Sequence, residues 1–216
     1  MVTLIDFLDI LPMDEEMRRR AELNAKIQLV LGYPGQTLED FYAVKKTKKG
    51  EDFIEYRWDD AGGQTTHIIF FQEYTLVMVF DHESVGNFYA NETGDLENQL
   101  ALYDNLPDPL KQFVFDRIDA DDWILTLDTP EGHKVELAST VAWWDGIEWE
   151  HSPRWNELVK KLNWRNEQGD MPYCMAWFVD TQPLTIETVM KHYADGGFDD
   201  DQELFDKIRQ TALENL

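Results

Sequence analysis

The sequence predicts an α+β protein: a mainly antiparallel sheet of about six to seven strands, covered by helices. Three observations predict it. The longest apolar block holds two strand-like runs, Ile68–Phe71 and Leu76–Phe80, separated by Gln72-Glu73-Tyr74. Further runs rich in β-branched and aromatic residues flank that block on both sides. Stripes of apolar residues at helical spacing occupy the first, middle and last thirds of the chain.

Taken in order, Thr3-Leu4-Ile5-Asp6 is a capping-box pattern that opens a short helix ended by Pro12. Asp14 is expected to cap a longer helix, with Leu23, Ile27, Val30 and Leu31 on one face. Glu15–Arg19 and Glu16–Arg20 are favourably ordered i,i+4 pairs, so the Arg18-Arg19-Arg20 run reads as a solvated helix face. Gly32, Pro34 and Gly35 stop this helix.

Residues 41–46 and 52–58 read as a hairpin turning near Gly50. Lys45, Lys46, Lys48 and Lys49 fit an edge strand guarded against pairing with other chains. The turn 59–64 leads into the central hairpin, whose near-continuous apolar runs are expected to be buried on both faces. Asp95 caps a helix that carries Leu96, Leu100 and Tyr103. Asp108 caps another that Pro109 starts, with Leu110, Phe113 and Val114 inward.

Strands are expected over 123–127, 133–140 and 141–149, the first two joined by the turn Thr129-Pro130-Glu131-Gly132. Ser152-Pro153 opens a helix with Trp155, Leu158, Val159 and Leu162 on one face, and 172–179 is a buried strand. Thr185 caps a helix stopped by Gly196-Gly197. The last helix, about 200–215, points Leu204, Phe205, Ile208 and Ala212 inward, with Asp199, Asp200 and Asp201 at its positive end.

The length of 216 residues reads most simply as one domain spanning 1–216. A gapless overlay of 52–84 on 121–153 pairs Asp52 with Asp121, Asp59 with Asp128, Gly63 with Gly132 and His82 with His151, which suggests two weakly similar β-meanders.

The formal net charge is −24, and no Lys or Arg occurs between residues 58 and 110. That sign disfavours nucleic acid, whose binding rests on Lys and Arg neutralising phosphates, and anionic membrane. It steers basic partners. No apolar run reaches the roughly 20 residues that span a bilayer. The N-terminus lacks the pattern of a signal peptide. Cys174 is the single cysteine and lies in an apolar run, so it reads as a buried thiol in a protein of the reducing cytoplasm. The five histidines are too dispersed for a metal-ligand spacing, and no nucleotide-binding or esterase motif occurs, so neither a metal nor a cofactor is assigned.

Two functional readings remain. The leading one is a non-enzymatic binding protein of inhibitor or immunity type, which neutralises a basic protein partner through an acidic, aromatic face. Six of the eight tryptophans lie between 143 and 177, and Trp143, Trp144, Asp145, Trp149 and Glu150 are the candidate contact residues. The alternative is a small hydrolase or lyase-like enzyme. Its candidates are Asp81, His82 and Glu83 together with Glu150 and His151, two acid–His pairs that would have to converge on one cleft.

Overall fold

A computed structural model of the chain describes residues 8, 11–32, 35–46, 50–59, 62–82, 84, 96–116, 125–161 and 183–216. Its centre is a six-stranded antiparallel sheet in the order β1-β2-β3-β4-β7-β8. The strands are β1 (Tyr42–Lys46), β2 (Asp52–Asp59), β3 (Gln64–Phe71), β4 (Tyr74–Asp81), β7 (Thr140–Trp144) and β8 (Trp149–His151). A second sheet of two strands pairs β5 (Thr126–Asp128) with β6 (Lys134–Glu136). Six α-helices accompany them among the described residues: α1 (Asp14–Leu31), α2 (Leu96–Ala101), α3 (Asp108–Asp116), α4 (Trp155–Lys161), α5 (Ile186–Asp195) and α6 (Gln202–Asn215).

The central hairpin forms as the apolar block predicts. Ile68 pairs with Val77, and both are wholly buried. Gln72 takes a left-handed φ of 53° in the tight turn between them. Burial on both faces requires a cover on each. On one face Phe113 of α3 stacks on Phe71 and meets Phe53 edge-on, with ring centroids 4.7 and 4.9 Å away. On the other face lies α1.

The arginine run of α1 departs from the expected solvated face. Arg18 sits over the Phe70 ring at 4.0 Å, a cation–π contact. Arg20 is buried and donates to Glu16, which also holds Arg19. Arg18 is drawn inward because its aliphatic stem covers the sheet's aromatic face, whereas Arg19 stays exposed. Asp14 is the first helical residue, and the cap position falls to Met13, which makes no side-chain capping bond.

Helix α1 buries two stripes. Met17, Ala21 and Ala25 join the sheet core. Leu23 and Ile27 join a second cluster with Val189 and Tyr193 of α5 and Ile208 and Ala212 of α6. Thr185 caps α5, Asp201 caps α6 through Leu204 N–H, and Ser152 accepts from Arg154 N–H ahead of α4.

The expected strand 141–149 is instead a hairpin of β7 and β8. Gly146 takes φ 101°, and the Asp145 carboxylate accepts the N–H groups of Ile147 and Glu148. That local satisfaction of backbone groups turns the chain. The 69-residue overlay consequently aligns β4, one continuous strand, with a strand, a turn and a strand. It also aligns part of β3 with β6, which belongs to the other sheet.

The helix opened by Thr3, the Asp95 cap, Glu83, Trp164, Trp177 and the strand 172–179 with Cys174 lie outside the described residues. No described helix is long and apolar enough to cross a membrane.

Candidate functional site

Strand alternation sorts the sequence candidates to opposite faces. Trp143 and Glu150 face one way and Trp144 and Trp149 the other, because Trp143 pairs with Glu150 and Trp144 with Trp149. Trp143 is buried in the sheet core. Trp144 and Trp149 are half-buried and meet at 5.9 Å between centroids with their planes 62° apart. The approach to α1 crosses beside them. Trp149 Nε1 donates to the Pro12 carbonyl at 3.1 Å, and Thr75, the partner of Trp144 on β4, donates its hydroxyl to Asp14.

This end of the sheet carries exposed apolar groups among carboxylates. Ile147 is 80% exposed at the hairpin tip, and Met13 is 70% exposed next to Pro12. From Trp144 to Glu150 the chain holds Asp145, Glu148 and Glu150 and no basic residue. The carboxylates differ in character. Backbone donation from Glu148 and Ile147 holds the Asp145 carboxyl below the usual range. Partial desolvation, with the negative charges of Glu148 and Asp145, holds Glu150 above it.

The two acid–His pairs do not come together. His151 pairs with Ala142, which pairs with Val77, whereas His82 follows the far end of β4. Strand rise and spacing then put the two positions roughly 15–20 Å apart. Burial lowers the His151 pKa, and the ring is half-buried. His82 lies over Gly63, and its backbone N–H donates to the Gly63 carbonyl. Asp81 is buried. Its N–H donates to Ser139 Oγ, and its carboxylate accepts from Gln64.

A buried polar chain elsewhere escaped the sequence reading. His67 on β3 stands between two carboxylates: Nδ1 is 2.8 Å from Glu55 Oε1 on β2, and Nε2 is 3.7 Å from Glu136 Oε1 on β6. Lys45 of β1 reaches the other Glu55 oxygen at 2.7 Å. Tyr103 fixes the strand beside it by donating to the Glu136 carbonyl at 2.6 Å. The chain links both sheets, and Glu55, Lys45 and Arg57 line a small cleft of about 130 Å³ where it nears solvent. Lone charged residues inside apolar runs (Glu55 after Ile54, His67 before Ile68, Glu136 between Val135 and Leu137) were the signal available in the sequence. Their convergence was not readable there. No group of three or more His, Cys, Asp or Glu among the described residues is arranged to hold a metal ion.

Compared with protein-family models, with curated proteins and with solved structures, the chain matches none.

Proposed function

We propose that the protein is a non-enzymatic binding module for a basic protein partner, of inhibitor or immunity type, acting in the cytoplasm, and that the partner docks on the β7–β8 hairpin. One observation carries the reading. Exposed Ile147 and Met13 flank a half-buried Trp pair, with Asp145 and Glu148 in the adjoining turn and no basic side chain from 144 to 150. Aromatic anchors ringed by charge are the usual composition of a contact hot spot. The edge position of β8 leaves this hairpin at the rim of the sheet. The net charge of −24 adds long-range attraction for a basic surface.

The test is capture from native lysate by the wild-type chain and by Ile147→Lys/Glu148→Lys, whose changed side chains are exposed and leave the fold intact. Basic proteins retained by the wild type, released by moderate salt and lost with the variant support the proposal. Equal capture by both chains, or captured proteins without excess positive charge, overturn it.

A further inference from the structure

We propose that the cleft between the 96–116 segment and the β5–β6 turn is a binding site for a small organic cation with a flat apolar body. This site is separate from the hairpin and independent of the partner proposed for it. Its volume is about 720 Å³, within the size range of pockets that enclose small molecules.

The walls are aromatic. Phe115 of α3 and His133 beside the turn lean together with centroids 5.9 Å apart and planes tilted 44°, an open wedge. Tyr103 closes the inner side, 2% exposed, its ring held in place by the hydroxyl bond to the Glu136 carbonyl. The turn that carries His133 is itself braced. Thr129 N–H donates to the His133 carbonyl at 2.7 Å, and His133 N–H donates back to the Thr129 hydroxyl at 3.2 Å. The wedge is therefore formed before any ligand arrives, which limits the entropy lost on binding.

The rim selects charge. Among the described residues, Asp104, Asp108 and Glu131 stand there against a single lysine, Lys111. Asp104 already draws a cation from outside the cleft, Arg154 at 3.5 Å. Asp108 and Glu131 have no ion-pair partner among the described residues, and neither does Lys111. A chain of net charge −24 raises the local concentration of cations over this rim. An ammonium placed between Asp108 and Glu131 leaves the attached ring against the faces of Phe115 and His133. There aromatic contact and the cation–π attraction act together.

The probe is 2-phenylethylammonium, titrated into the full chain while the His133 ring Cε1–H is followed by NMR. That resonance is assigned by its loss in His133→Gln. The isosteric anion 3-phenylpropanoate is the control. The expected result is a saturable His133 shift with the ammonium and none with the carboxylate. Binding should weaken about fivefold or more in Asp108→Asn/Glu131→Gln, the scale of two exposed charge contacts. Both of those positions are exposed, so the fold is retained, and Phe115→Leu should weaken binding further. A non-saturating shift, equal response to the carboxylate, or a double variant that binds like the wild type would each overturn the proposal.

Discussion

Glu55 Oε1 and His67 Nδ1 lie 2.8 Å apart, and both side chains are more than nine-tenths buried. The first prediction follows from this pair. Removing one partner of a buried charged contact leaves the other desolvated and unmatched. Glu55 accepts from both His67 and Lys45, so Glu55→Ala strands two groups at once. The variant should lose roughly 3–5 kcal/mol of stability in urea unfolding. Glu55→Gln fills the same space and keeps one acceptor oxygen for one of the two partners, so it should lose less. Equal losses for the two variants would show that, without its charge, the Glu55 side chain contributes nothing at this site.

The second prediction concerns Gly63 and His82. Gly63 has φ +100°, and a Cβ there would lie 2.3 Å from His82 Nδ1. Two costs therefore meet in Gly63→Ala: the left-handed backbone and the clash with the ring. The loss should be about 1–3 kcal/mol. In a His82→Ala background the clash is gone and the backbone cost remains, so the same substitution should cost less there but not nothing. A double-mutant cycle reads the difference directly. A zero coupling energy would refute the close packing of that ring.

The third prediction orders the hairpin carboxylates. On raising the pH, Asp145 should lose its proton before Glu150, as followed by side-chain carboxyl NMR. Asp145 is lowered by the N–H groups of Glu148 and Ile147, and Glu150 is raised by desolvation and then by Glu148 and Asp145. Glu148→Gln removes one of the charges acting on Glu150 and should move its titration down. The stability consequences oppose each other. The depressed Asp145 favours the fold above the usual carboxylate pKa, an advantage lost as pH falls through its folded value. The raised Glu150 disfavours the fold as pH rises, because the unfolded chain ionises first. Reversed titration order would contradict the turn geometry.

The fourth prediction isolates His151. Burial pushes its pKa below the usual 6.5. The folded state therefore prefers the neutral ring, and the unfolded chain takes up the proton first as pH falls. Stability from this group is present above about 6.5 and drains away as pH drops from there toward the folded value. His151→Gln lacks the titration. The stability difference between wild type and variant should change between about pH 7.5 and about pH 5.5. It should shift in the variant's favour at the lower pH, and a constant difference would show that the ring is solvated.

Much of the architecture was legible residue by residue because its signals are local. The break at Gln72-Glu73 set the central hairpin, and Thr185 announced its helix three residues ahead of the bond it makes. The candidate sites were less legible. Asp81-His82 and Glu150-His151 look alike along the chain, but register separates them across the sheet. Trp143 and Trp144 differ only in the parity of their position, and that parity means nothing until β4 and the helices define inside and outside.

The sequence by itself determined the α+β class, the buried central strands, the Thr185 cap and the acidic surface, since each depends on neighbours within a few residues or on composition alone. Only the tertiary structure decided that 140–151 folds back as β7 and β8, that Arg18 and Arg20 turn inward, and that Glu55, His67 and Glu136 meet. The reason is physical. Pairing between distant segments is fixed by which faces the whole chain manages to bury together, and a polar residue inside an apolar run acquires its partner only when another strand arrives beside it.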